Sequence, residues 1–116
     1  RQAAKHYETA LEHAGLLTAE QRAELHERCA FELQLIGRVQ DAIDHFKAAL
    51  RVHEARNDGL RAGDALRWIS RLSYNVGDPA SAERHGREAI AALEPFSTGP
   101  ELALAYANLA ILMALK

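Results

Sequence analysis

Apolar residues recur three or four positions apart along almost the whole chain, which is the spacing of one face of an α-helix. The first segment has five such residues on one face: Ala3, Tyr7, Ala10, Leu11 and Ala14. Gly15 is expected to end this helix. No stretch of useful length alternates apolar and polar residues as a strand would. The pattern therefore predicts an all-α chain.

Start and stop signals divide the next part into two helices. Thr18 followed by Gln21 is a capping-box pattern, and Gly37 marks the end of the second helix. The apolar face of that helix consists of His26, Cys29, Ala30, Leu33 and Ile36. The third helix carries an unbroken stripe of Val39, Ala42, Ile43, Phe46, Ala49, Leu50 and His53. The letters "RND" and Gly59 are expected to close it.

Three more helices follow. The fourth is predicted from about Leu60 to Val76, and its inward residues are Ala65, Leu66, Ile69, Leu72 and Ser73. In "GDP", glycine ends that helix, Asp78 is the N-cap and proline takes the first helical position of the fifth helix. The fifth helix runs to about Leu93. "STGPE" then opens the sixth, with Thr98 or Gly99 as cap. Turns this short place successive helices antiparallel.

The chain repeats itself at a spacing of 40 residues. In "LIGRVQDAIDHFKAALRVHE" and "NVGDPASAERHGREAIAALEP", Gly37 and Gly77 are each followed five residues later by an alanine. The first helix matches the third at a spacing of 39 residues. The matched pairs are Ala3 with Ala42, Tyr7 with Phe46, Ala10 with Ala49 and Leu11 with Leu50. Repetition at this period is typical of helical solenoids.

The repeat resembles the tetratricopeptide repeat. The residues that carry the resemblance are a small residue in the first helix (Ala30, Ser70, Ala110), the turn glycines, and the small–aromatic–small triplets Ala42, Phe46, Ala49 and Ala3, Tyr7, Ala10. Gly86 stands where an aromatic residue is expected, and we expect Trp68 to fill that space. The resemblance implies a right-handed α-solenoid of antiparallel helix pairs, with about six helices. They form a single domain over residues 1–116, with about two full repeats flanked by two half-repeats.

A second resemblance concerns the parent protein. The repeat period of 40 residues exceeds the usual tetratricopeptide-repeat length of about 34 residues. The composition, rich in Ala, Leu, Arg and His, is similar to that of helical sensor segments of large bacterial regulators. Those regulators combine an ATPase domain with a LuxR-type DNA-binding domain. The resemblance implies a cytoplasmic, non-catalytic interaction or sensor module in signal transduction. A free-standing scaffold protein and a helical domain attached to a hydrolase are the alternatives. Both ends lie within helical pattern, so we expect a fragment of a longer chain.

Composition narrows the classes of function. The net charge of −2 does not favour nucleic acid, and the single cysteine, Cys29, allows no disulfide within the chain and suits a reducing cytoplasm. The most apolar run, Leu102 to Leu115, is interrupted by Asn108 and is shorter than the roughly 20 residues of a membrane-spanning helix. We therefore expect neither direct nucleic-acid contact nor membrane insertion.

Candidate chemistry is sparse. His26 and Cys29 share a helix face, but a closed zinc site needs four ligands, so both are expected to be core residues. Ser70 and Ser73 lack the glycine-flanked turn of a nucleophile, and no phosphate-binding loop is present. We expect no enzyme activity, no metal and no cofactor. Trp68 between arginines could stack on a base, which leaves a nucleic-acid role as a lesser alternative.

The resemblance places an inner groove along the first helix of each pair. The candidate groove residues are Glu24, Glu27, Phe31, Gln34, Asp64, Arg67, Arg71, Tyr74, Leu104, Asn108 and Ile111. Such a groove suits a peptide, a partner helix or another domain of the same chain. The alternative is that these positions are ordinary solvated residues and that the binding surface lies elsewhere.

The last helix predicts self-association. It is apolar on nearly every face, and repeat arrays need a polar terminal cap for solubility. We expect an exposed patch of Leu104, Ile111, Leu112 and Leu115, through which two copies pair about a two-fold axis.

Overall fold

The computed structural model describes residues 2–116. Within that range it contains six α-helices and no strand, which confirms the all-α prediction. The helices are α1 (Gln2–Glu12), α2 (Ala19–Leu35), α3 (Val39–Ala55), α4 (Gly59–Asn75), α5 (Pro79–Leu93) and α6 (Pro100–Ala114). Short 3₁₀ turns lie at Ala14–Leu16 and Glu94–Phe96.

Two of the predicted helix starts, at Thr18 and Asp78, are present as hydrogen-bonded caps. The Thr18 hydroxyl accepts the Gln21 N–H at 3.1 Å, and the Gln21 side chain accepts the Thr18 N–H at 3.0 Å. Asp78 accepts the Ser81 N–H at 3.1 Å and lowers the number of unpaired donors in the first turn of α5. These bonds involve residues three apart, so the local sequence is enough to specify them.

Two predicted helix ends are wrong. Gly59 does not close α3 but is the first residue of α4, because Asp58 caps that helix by accepting the Arg61 N–H at 3.2 Å. Asn57, with φ 55°, makes the left-handed turn instead. Gly15 does not end α1, which stops at Glu12 and passes into a 3₁₀ turn. Where the chain does need a left-handed glycine, at Gly37 (φ 84°), the prediction is confirmed.

The helices pack in sequence order, each against the next, and α4 also contacts α6. One buried cluster joins α1, α2, α3 and α4 and includes the fully buried side chains of Phe46 and Leu33. A second cluster joins α4 to α6 around Leu66 and Leu93. The described chain measures 40 × 30 × 20 Å. Every helix therefore buries its apolar face against near neighbours in the sequence.

Small residues lie where helices cross most closely. Ala30, Ser70 and Ala82 are almost fully buried, and the Ser70 hydroxyl donates to the Ala82 carbonyl at 2.5 Å. A Cβ atom on Gly86 would lie 3.0 Å from the Ser70 Oγ and 3.5 Å from a methyl carbon of Leu109. The expectation that Trp68 fills the space beside Gly86 is therefore wrong.

The apolar sixth helix is partly covered. Leu112 is buried, which corrects its assignment to the exposed patch, whereas Leu104, Ile111 and Leu115 are 46%, 61% and 55% exposed. Among residues 2–116, no helix has both the length and the apolar content needed to cross a bilayer.

Candidate functional site

A groove of about 280 Å³ runs between α4 and α6. It brings together six of the predicted groove residues: Arg67, Arg71, Tyr74, Leu104, Asn108 and Ile111. The same groove is completed by residues that were not on the predicted face: Ala107, Leu112 and Leu115. Its walls are mainly apolar, and its cationic groups lie on the α4 side.

The two arginines of the groove differ in their surroundings. Arg67 is largely buried and donates two hydrogen bonds to one Asp64 carboxylate oxygen, at 3.0 and 3.1 Å. Arg71 is exposed and forms neither a hydrogen bond nor an ion pair with any residue from 2 to 116. Its guanidinium carbon lies 5.7 Å from the centroid of the Trp68 ring. Arg71 therefore presents to the groove a positive charge that has no counter-ion in the described part of the chain.

Asn108 fixes the floor of the groove. Its side-chain nitrogen donates to the Ser70 Oγ at 3.0 Å, and Ser70 in turn donates to the Ala82 carbonyl. This polar chain joins α6, α4 and α5. Because its amide is already bonded, Asn108 acts first as a tie between helices, a role that sequence periodicity alone does not reveal.

A second cavity, of about 490 Å³, adjoins the groove and lies between the end of α4, the start of α5 and the end of α6. It shares Tyr74, Leu112 and Leu115 with the first cavity and adds Pro79, Ala80, Glu83, Met113 and Lys116. At its rim the Lys116 ammonium donates to the Glu83 carboxylate at 2.5 Å. The two cavities form one trough with apolar walls.

The acidic residues of α2 lie at a different place. Glu24 and Glu27 line a polar cavity of about 510 Å³ together with Thr18, Glu20, Gln21 and Arg61. Glu24 is paired with Arg28 at 2.9 Å, and Glu20 lies 3.6 Å from Arg61. Glu20 and Glu24 therefore already have cationic neighbours. The face that was predicted to be continuous is divided into an acidic part on α2 and a basic, apolar part between α4 and α6.

Phe31 and Trp68 form an aromatic cluster with Phe46. The Trp68 ring is stacked on Phe46 at 5.9 Å, and Phe31 meets both rings edge-on, at 4.9 and 5.5 Å. Phe31 is thus engaged in packing, and one face of Trp68 is covered instead of being open to a base. Gln34 is half-buried and lines none of the cavities described above.

Two histidine contacts were not foreseen from the sequence. The buried His53 lies with its Nε2 3.2 Å from a Glu27 carboxylate oxygen, and burial raises the pKa of Glu27. His26 and His45 lie with their Nδ1 atoms 2.9 Å apart. His26 is half-buried, so its assignment to the core is wrong, whereas Cys29 is fully buried as expected.

Burial shifts the pKa values of His26 and Cys29 in the directions that favour their uncharged forms. It lowers the pKa of His26 to about 4, with His45 as the next cause, and raises the pKa of the Cys29 thiol to about 11. Within residues 2–116, no three His, Cys, Asp or Glu side chains converge as a set of metal ligands. Burial also lowers the pKa of His45, so the neutral forms of both rings are favoured where they contact each other between α2 and α3.

A comparison with protein-family models finds no match, and no curated protein or solved structure matches the chain.

Proposed function

We propose that this chain is a non-catalytic interaction module of the tetratricopeptide type, which binds a peptide or partner helix in the groove between α4 and α6. The observation that carries the proposal is the position of Arg71 beside an apolar trough. Leu104, Ile111 and Leu115 leave apolar area exposed, and exposed contiguous apolar area marks interaction sites.

The charge of the groove selects the partner segment. Arg71 has no ion pair within residues 2–116, and a guanidinium binds a carboxylate through two parallel hydrogen bonds. The bound segment therefore carries aliphatic side chains spaced along one side and an Asp or Glu near them. A non-catalytic role agrees with the state of Ser70, whose hydroxyl is buried and bonded to the Ala82 carbonyl.

Intrinsic fluorescence tests this proposal directly. Trp68 is the only tryptophan and lies beside Arg71, so its emission reports on the groove. Tryptophan-free peptides with two or three leucines and one glutamate are titrated into the protein, along with the same peptides carrying glutamine. We expect saturable binding that weakens about tenfold with glutamine or with Arg71→Gln.

The matched control is Arg84→Gln, because Arg84 is an exposed arginine of α5 outside the groove. We expect it to bind like the parent chain. No saturable signal with any such peptide, or equal losses in Arg71→Gln and Arg84→Gln, would contradict the proposed groove.

For the parent protein, we propose a bacterial transcriptional regulator of the LuxR type, in which this module senses a protein or peptide, or another domain of the same chain. The support is the 40-residue repeat and its Ala-, Leu-, Arg- and His-rich style. A free-standing scaffold protein is the second candidate. Sequencing the flanking coding region separates them: a phosphate-binding loop before the array and a helix-turn-helix after it support the regulator, and their absence supports the scaffold.

A further inference from the structure

Two arginines flank Trp68 on α4, and their charges are not equally available to the groove. The guanidinium carbons of Arg67 and Arg71 lie 5.0 and 5.7 Å from the centroid of the Trp68 ring. Both arginines line the groove between α4 and α6. They are four positions apart and therefore lie on neighbouring turns of one helix face. A ligand bound at Arg71 is thus about one helical turn from Arg67.

The Arg67 guanidinium is held by Asp64. Nε and one terminal nitrogen of Arg67 donate to the same Asp64 carboxylate oxygen, at 3.1 and 3.0 Å. The Arg67 side chain is only 12% exposed. Because a partly buried ion pair is screened less by salt and water than an exposed one, this interaction is strong for a surface helix. Asp64 therefore offsets the charge that Arg67 brings to the groove.

The carboxylate that offsets Arg67 lies outside the groove. Asp64 is not among the groove-lining residues, and it lines an adjoining cavity of about 250 Å³ with Glu27 and Glu101. Among the described residues, none that lines the groove is acidic. The groove therefore has one cation with an internal partner, Arg67, and one cation without an ion pair in residues 2–116, Arg71.

We propose that Asp64 determines the charge specificity of the groove: by offsetting Arg67, it restricts the bound segment to one negative charge beside the apolar contacts. This inference rests on the proposed peptide-binding function and names the class of partner, a segment with a single Asp or Glu and without a phosphorylated residue. A phosphoserine carries a charge of about −1.5 to −2 at pH 7 and three acceptor oxygens, so two available guanidinium groups suit it better than one. In the parent chain the Asp64 carboxylate opposes that second charge.

Two peptides measure this specificity. They are free of tryptophan, have the same leucines and differ at one position, which is glutamate in the first and phosphoserine in the second. Each peptide is titrated against the emission of Trp68, and the readout is the ratio of the two dissociation constants. We expect Asp64→Asn to shift this ratio about tenfold toward phosphoserine relative to the parent chain, because two guanidinium groups then act on one ligand.

Further variants show whether Arg67 causes the shift. Asp64→Ala removes the acceptor oxygen as well as the charge, and we expect at least the same shift. Adding Arg67→Gln to Asp64→Asn removes the released cation, so we expect the double variant to return to the parent ratio. The matched control is Glu88→Gln, because it removes the same charge from an ion pair with Arg84 on α5, outside the groove. We expect it to keep the parent ratio.

The outcomes separate the role of Asp64 from the proposed function. A glutamate peptide without saturable binding to the parent chain would overturn both. Binding that depends on Arg71, with the same peptide ratio in the parent and in Asp64→Asn, would overturn the role of Asp64 alone. An equal shift in Glu88→Gln would also overturn it, because the ratio would then follow net charge. Melting temperatures show that the variants are folded, and a pair that only stabilised α4 would change these temperatures without changing the ratio.

Discussion

The Nδ1 atom of His26 on α2 lies 2.9 Å from the Nδ1 atom of His45 on α3, and the ring centroids are 5.1 Å apart. Such a contact needs one ring to donate and the other to accept, so the pair is bonded when neutral or singly protonated. A second proton would place two cations in contact. Arg22 and Arg51 add positive potential around His26, whereas Glu8 acts in the opposite sense on His45.

This pair predicts a loss of stability in mild acid. Burial lowers the pKa of His26 from 6.5 to about 4 and also lowers the pKa of His45. Between these values the unfolded chain binds more protons than the folded chain, so the free energy of unfolding falls as the pH falls from about 6.5 to 4. Because the rings are only half-buried, we expect a loss on the order of 1 kcal/mol.

Urea unfolding at a series of pH values measures that slope. In His26→Gln, one titrating partner is gone, and we expect the fall in stability between pH 6.5 and 4 to become shallower. His13→Gln, which removes an exposed histidine after α1, serves as the control and should follow the parent. Parallel pH profiles for all three proteins would show that the pair does not govern acid stability.

Overpacking at the helix crossings is the second prediction. Ala42 and Ala49 have no exposed area, so leucine at either position has no room without displacing a helix. We expect Ala42→Leu and Ala49→Leu to lower the free energy of unfolding by about 1–3 kcal/mol. Ala55→Leu, at an exposed position on the same helix, should change it by less than about 0.5 kcal/mol. Chemical denaturation that finds Ala42→Leu as stable as the parent would refute the repeat register.

A third prediction concerns a helical glycine. A Cβ on Gly63 would lie 2.4 Å from the Leu93 Cγ, so alanine there forces α4 and α5 apart. Alanine normally stabilises a helix by about 1 kcal/mol relative to glycine, and this clash should outweigh that gain and leave Gly63→Ala about 1–2 kcal/mol less stable. Gly15→Ala meets no atom within 4 Å and should be close to neutral. Thermal melting of the two variants side by side measures the difference. Equal melting temperatures would show that the Leu93 side chain can move aside at little cost in free energy.

The single thiol supplies the fourth prediction. Cys29 is fully buried, and burial raises its pKa to about 11, so little thiolate exists near neutral pH. We expect an aromatic disulfide reagent to react at least ~10-fold more slowly with the folded protein than with the urea-unfolded protein. An exposed cysteine introduced at Ala55 gives the reference rate in a folded background. Equal rates for the two positions would mean that α2 opens readily.

Local sequence signals are sufficient to specify the helices and most of their limits. Apolar spacing located all six, and the bonds that cap them at Thr18 and Asp78 join residues three apart. The two wrong ends, at Gly15 and Gly59, have the same cause. A glycine serves a turn, a 3₁₀ segment or a helix start equally well, and only the neighbouring hydrogen bonds decide among these.

Which helix faces share a site depends on how the helices pack against one another. The α4 and α6 members of the predicted groove do meet, but the α2 members do not join them, because Phe31 packs on Trp68 and Glu24 pairs with Arg28. Contacts such as His26 with His45, 19 residues apart, or Asn108 with Ser70, 38 apart, depend on the distance and rotation between whole helices. Helical periodicity indicates on which side of its own helix a residue lies. It does not indicate which residues of another helix contact that side.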